Sequence, residues 1–267
     1  MLKITVVQPA YFAGENPEVA IGDFLMKELM QAPKGGLVVL PEYSNAGGLS
    51  DGQALKKAAG RAKQMLERAA EIAKEKSSFV AVNVLEERDG NYKNSTYLFH
   101  PTGEIAFVYD KIHLPPSEVR FGVKRGSGAC VCEADGIRFG FLTCYDIYFS
   151  EQIEYLASQK PDIIVFPSYQ RGESADILRA QTRLAAFRCN SFVAKASYSM
   201  GSDEKGGCSM IVSPDGTILC DLGKEVGSET REVEETWKYL RPAGYGGGMI
   251  RNDDFISGGL CPQIFDQ

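Results

Sequence analysis

Apolar and polar positions along the chain alternate between two rhythms. Residues 2–8 (LKITVVQ) are apolar and β-branched, the composition of a strand. Residues 17–31 then set Val19, Phe24, Leu25, Met26 and Leu29 at helical spacing. The run 37–41 (LVVLP) is short and continuously apolar, which suits a buried strand. Residues 54–76, rich in Ala, Lys, Glu and Leu, predict one long helix, and 79–85 predict the next strand. Turn chemistry predicts three hairpins. Pro101-Thr102-Gly103 joins 92–100 to 104–109, Asp135-Gly136 joins 129–134 to 137–143, and Pro214-Asp215-Gly216 joins 208–212 to 217–220. Between the second and third hairpins, helices at 151–159 and 174–189 alternate with strands at 162–166 and 191–197. The second half thus repeats the first in outline. This mixture predicts an α/β fold with helices packed outside sheets.

No long linker or low-complexity tract interrupts the 267 residues, so a single domain over 1–267 is expected. The stretch 241–262 is Gly- and Pro-rich and contains Gly246-Gly247-Gly248. It predicts an extended tail, ordered only where something holds it. With 44% hydrophobic and 24% charged residues, the chain can bury a large core and is not disordered. The 29 Lys+Arg against 35 Asp+Glu leave a net charge of −6, which argues against nucleic-acid and anionic-membrane partners. No apolar run approaches the ~18 to 20 residues of a membrane span.

Seven scattered cysteines (130, 132, 144, 189, 208, 220 and 261), with no secretion signal at the start, predict a reduced, cytoplasmic protein. Strand alternation puts Cys130 and Cys132 on one face, but no further ligand is near them in sequence. His100 and His113 are the only histidines, so neither a metal site nor another cofactor is expected.

Three reactive side chains stand at the ends of apolar runs, where a loop can expose them. Glu42 follows LVVLP, Lys111 follows the strand ending VYD, and Cys144 follows GFLT just before a helix. Lys111 lies 69 residues after Glu42, and Cys144 lies 33 after Lys111. In this order the motifs LVVLPEYSNAGG, YDKIHLPPSE and GFLTCYDIYFSE resemble the nitrilase, or carbon–nitrogen hydrolase, superfamily. PDIIVFPS at 161–168 and GCSMIVSPDGTIL at 207–219 extend the resemblance to about residue 220.

The resemblance implies a four-layer αββα sandwich, a cysteine hydrolase, and at least a homodimer, with the tail 241–262 expected to lie across the partner subunit. Cys144 would be the nucleophile, Glu42 the base, and Lys111 the cation beside the oxyanion, with the backbone N–H of Tyr145 as second donor. Glu118 would be a fourth member of the site, and Asp146 and Glu151 would support the loop. The chemistry is consistent, because a thiol is mostly protonated at neutral pH and needs a base to become a nucleophile. Two departures concern the subfamily. Tyr148 stands where members often carry Arg, and residues 185–189 replace a common R-A-x-E-N stretch.

The expected substrate is a small linear amide or ureido compound bearing a carboxylate, with water as co-substrate. Arg171 is the first choice of anchor and Arg120 the second, with Arg125 also nearby in sequence. Phe121, Tyr145, Tyr148 and Tyr169 would supply pocket walls. The motifs do not separate an amidase from an N-carbamoyl hydrolase or a nitrilase. An inactive binding or scaffold protein is the alternative of another class, against which the intact Glu/Lys/Cys set argues.

Overall fold

A computed structural model describes residues 1–12 and 14–260. The first half runs β1 (Leu2–Gln8), α1 (Pro17–Gln31), β2 (Gly36–Val39), α2 (Gly52–Ala59), α3 (Ala62–Lys76), β3 (Phe79–Arg88), β4 (Asn91–Phe99) and β5 (Ile105–Asp110). Then follow α4 (Pro116–Phe121), β6 (Val131–Ala134), β7 (Ile137–Phe141), a 3₁₀ turn (Cys144–Tyr148), α5 (Ser150–Gln159), β8 (Ile163–Pro167), α6 (Ala175–Cys189) and β9 (Phe192–Ala196). The chain continues through β10 (Met210–Val212), β11 (Ile218–Asp221), β12 (Gly227–Val233), β13 (Leu240–Pro242), β14 (Met249–Arg251) and α7 (Asn252–Ser257).

Two six-stranded sheets form, in the orders β12-β1-β2-β3-β4-β5 and β11-β10-β9-β8-β7-β6. Each has three parallel strands at its centre, β1-β2-β3 and β7-β8-β9, flanked by antiparallel ones. Between the sheets, Ile4, Val6, Leu37 and Val39 pack in one cluster with Phe139, Phe141, Val165 and Ile211. Outside the first sheet, Leu25 and Leu29 of α1 and Ala69 and Ile72 of α3 cover Val38, Val80 and Val82. Outside the second, Leu156 of α5 and Leu178 and Ala185 of α6 join the central cluster. The layers are therefore helix, sheet, sheet, helix, as the resemblance implied. Leu37 to Leu40 are essentially inaccessible. Burying each contributes roughly 1.5–3 kcal/mol, which fixes the strand end from which Glu42 emerges.

The three hairpins turn where the sequence places them, and at Asp135-Gly136 both residues adopt positive φ (49° and 75°), as a two-residue turn of this kind requires. Two expectations need correction. The single helix over 54–76 is two helices, interrupted at Gly60 and Arg61. Ala58 and Ala59 of α2 pack beside Ala46 and Leu85, whereas α3 buries its face against α1 and β3. Two differently directed surfaces cannot be served by one straight helix.

The tail is not merely extended either, and up to residue 260 it is held by its own chain. β13 and β14 form a ribbon, and α7 docks on α5 and α6. Asn252 Nδ2 donates to Phe187 O at 2.6 Å, and Asn190 Nδ2 donates to Asp253 Oδ1 at 2.7 Å. Residues 261–267, including Cys261, lie outside the described residues.

Candidate active site

The reactive side chains converge where the central strands end. After β2 the Leu40 N–H still bonds to Ala81 O, at 2.9 Å. The chain then turns through Pro41, Glu42 and Tyr43, the last in a left-handed conformation (φ 55°). After β7, Thr143 and Asp146 form a reciprocal capping box around the 3₁₀ turn. Cys144 opens that turn with φ 45°, a conformation an L residue adopts only when its surroundings impose it. Lys111 follows β5 and is tied to β4, its N–H donating to Asn94 O at 2.9 Å.

Lys111 Nζ donates to Glu42 Oε1 at 2.7 Å and to Glu118 Oε1 at 3.0 Å. Asn94 Nδ2 donates to the same two oxygens, at 2.8 and 2.9 Å. The Tyr43 hydroxyl also donates to Glu118 Oε1. Behind them, Asn83 Nδ2 donates to Asn94 Oδ1 at 2.8 Å, and Asn83 Oδ1 accepts from the Tyr43 N–H at 2.8 Å. Glu42, Lys111 and Asn94 are each 1% exposed.

Such buried charges persist only when paired and fully hydrogen-bonded. Burial opposes the Lys111 charge, but Glu42 and Glu118 outweigh it and hold the ammonium well above the usual lysine range. Burial pushes the Glu118 carboxyl up, against the pull of Lys111. Burial also pushes the Cys144 thiol well up, and the Glu42 charge adds to this while Lys111 opposes it. The thiol is therefore neutral at rest.

A cavity of about 330 Å³ opens onto Cys144, with Glu42, Lys111, Glu118, Tyr169 and Arg171 in its wall. Arg171 sits exposed at the rim, 4.4 Å from the Tyr169 ring centroid and 5.2 Å from that of Tyr11, with Nη1 donating to the Tyr11 hydroxyl at 3.0 Å. Tyr148 lies on the outer side, its hydroxyl donating to Glu173 and accepting from Gln170 Nε2. Tyr145 follows Cys144 within the 3₁₀ turn, its ring 5.5 Å from that of Tyr148.

Arg120 is a correction. It is exposed on α4 and absent from the cavity wall, because the buried face of that short helix is occupied by Glu118. Arg125 is likewise exposed and donates to Ile112 O. The joint that sequence reasoning passed over is Asn94, with Asn83 behind it. An isolated amide inside the apolar run FVAVNVL was the available signal.

Asp146 and His113 join the lysine and cysteine loops. Asp146 accepts from the Thr143 N–H (2.9 Å), the Tyr109 hydroxyl (2.7 Å) and the His113 N–H (2.9 Å). Among the described residues, no three His, Cys, Asp or Glu side chains group as a metal site would. Cys130 and Cys132 are free thiols there.

The carbon–nitrogen hydrolase family model matches residues 3–236. A 2-oxoglutaramate amidase of Paenarthrobacter nicotinovorans is 27% identical over 212 residues, covering 72% of this chain and 70% of its own. An (R)-stereoselective amidase of a Pseudomonas species is 28% identical over 203 residues, covering 74% and 72%. The crystal structure of an amidase from a Nesterenkonia species superposes with a TM-score of 0.75 at 20% identity, over 88% of this chain and 90% of that one. The chain belongs to the carbon–nitrogen hydrolase family, within the nitrilase superfamily. It is an amidase-like hydrolase of C–N bonds.

Proposed function

We propose that the chain hydrolyses the C–N bond of a small amide through a Cys144 thioester, with Glu42 as proton carrier. The observation that carries this reading is the Lys111 bridge between Glu42 and Glu118, beside a neutral, conformationally strained thiol. Glu42 takes the thiol proton as sulfur attacks the carbonyl carbon. The carbonyl oxygen gains negative charge next to Lys111 and the Tyr145 N–H, and losing one such donor costs roughly 3 kcal/mol of transition-state stabilisation. Glu42 then returns the proton to the departing nitrogen. Water attacks the thioester, giving its proton to Glu42; the C–S bond breaks, the acid leaves, and Glu42 returns the proton to the Cys144 sulfur. Glu118 fixes the Lys111 ammonium and, with Asn94, the orientation of Glu42.

Arg171 anchors a carboxylate on the substrate. Its guanidinium lies over the Tyr169 ring at the rim, and no carboxylate lies within ion-pair distance of it among the described residues. The relatives named as amidases of 2-oxoglutaramate, an acid amide, fit such an anchor. The six cysteines of the described residues are free thiols, which suits the cytosol. We place the working enzyme there, as at least a homodimer.

The test is release of amine or ammonia from amides, ureido acids and nitriles by the wild type and by Cys144→Ala. Amides should be cleaved, and the alanine variant should lose at least about 10³-fold in kcat/KM while keeping its circular dichroism. A folded alanine variant that retains turnover would refute the nucleophile. Arg171→Ala should raise KM for acidic amides far more than for neutral ones. Prolonged chelation should leave the rate unchanged.

A further inference from the structure

Cys144 borders two spaces, one inner and one outer. One is the cavity of about 330 Å³, walled by Ala46, Leu49, Leu55, Leu85, Phe121 and Val123. These side chains belong to a small hydrophobic cluster of their own, separate from both main cores. The other, of about 600 Å³, lies outward and is lined by Tyr145, Tyr148, Gln170 and Glu173. Cys144, Tyr169, Arg171 and Pro115 border both. An amide bound at the sulfur therefore has room on each side of its C–N bond.

The arrangement also says which side faces which space. Glu42, Lys111 and Glu118 border the apolar lobe and not the outer one. On the mechanism proposed above, on which this inference rests, the departing nitrogen receives its proton from Glu42. That nitrogen must therefore lie toward the apolar lobe. Ammonia has no use for six apolar side chains, and an apolar recess left to water is unfavourable.

We infer that the leaving group is an amine carrying a hydrocarbon arm, so that the substrate is an N-alkyl or N-aralkyl amide rather than a primary amide. The acyl portion extends into the outer space past Arg171. The atoms balance. The Cys144 sulfur bonds to the acyl carbon, the C–N bond breaks, the amine leaves with the proton that Glu42 took from the thiol, and water converts the thioester to the acid.

N-Butylacetamide and hexanamide decide the matter, because they are isomers with the same chain on opposite sides of the amide. Acetamide, succinamate and N-butylsuccinamate complete the set, each read as kcat/KM from amine, ammonia and acid released. N-Butylacetamide should exceed both hexanamide and acetamide by at least about tenfold, and N-butylsuccinamate should exceed succinamate likewise. Leu55→Trp, which narrows the lobe from α2, should bring the N-butyl to unsubstituted ratio down toward one. The isomer comparison stands even where that variant fails to fold. Preference for hexanamide, or for the unsubstituted amides, overturns this inference and leaves the amidase reading intact. No turnover of any of the five, by a chain whose Cys144 is still alkylated, overturns both.

Discussion

Asn94 controls more of the site than its size suggests. Its single Nδ2 group donates to the same oxygens of Glu42 and Glu118 that Lys111 bridges. Asn94→Ala leaves those buried lone pairs short of a donor, a defect of about 1–3 kcal/mol, or roughly 5- to 150-fold in a rate that depends on them. The loss should fall on kcat more than on KM. The acid limb of the pH–rate profile should also move to higher pH, because the carboxylates lose a donor that favours their ionised form. A profile of unchanged shape with only lower stability would reduce Asn94 to a packing residue. Glu42, Lys111 and Cys144 were legible because each ends an apolar run that must be buried, leaving a reactive group at the strand end. Asn94 sits in NYKNST, a polar stretch that reads like any half-exposed strand. Only the pairing of β3 with β4 brings it beside Asn83.

At the level of elements, two loops must hold register for Lys111 to face Cys144, and His113 links them. Its Nδ1 lies 3.0 Å from Asp146 Oδ1, its Nε2 lies 3.3 Å from Glu151 Oε1, and its ring stacks on Phe149 at 3.9 Å. The hydrogen bond to Asp146 raises the His113 pKa above its ordinary value of 6.5, against a partial burial that would lower it. Tyr109, which also faces Asp146, is held neutral by burial. The folded pKa therefore lies above the unfolded one. The stabilisation is complete below about pH 6.5 and is lost as pH rises through the raised value. Thermal unfolding should show His113→Gln losing more Tm relative to wild type at pH 6 than at pH 9, and equal losses would contradict the link. The break between α2 and α3 offers a second test. Gly60 is right-handed (φ −65°), and an added Cβ would meet nothing closer than 3.6 Å. Gly60→Ala should therefore stabilise by about 0.4–1 kcal/mol. A drop in Tm would mean that the break itself needs glycine. Local pattern read 54–76 as one helix because Ala, Lys, Glu and Leu dominate it and outweigh the single Gly60. What divides it is the direction of the surfaces it must cover, which no local pattern contains.

For the whole molecule, the open question is what covers the outer helical layer on the second sheet. Ile177 and Leu184 are seven residues apart on α6, hence on one face, and are 50% and 59% exposed. Tyr155 on the neighbouring α5 is 46% exposed. Scattered apolar side chains are ordinary on a surface, but three exposed on two helices in contact offer apolar area that a second copy of the chain can bury. The tail, anchored through Asn252 and Asp253 to α6 and the turn after it, borders the same layer. Up to residue 260 it packs on the protomer that carries it. A two-fold pairing through α5 and α6 would set like patches face to face, as an isologous interface requires. Light scattering should give about twice the 29.2 kDa of one chain. Leu184→Glu places a charge at the centre of the patch and should shift the particle toward the single-chain mass. Because α5 begins two residues after the 3₁₀ turn that Cys144 opens, that separation should also lower kcat/KM. A wild type that is monodisperse at the single-chain mass and fully active would show that the patch covers nothing.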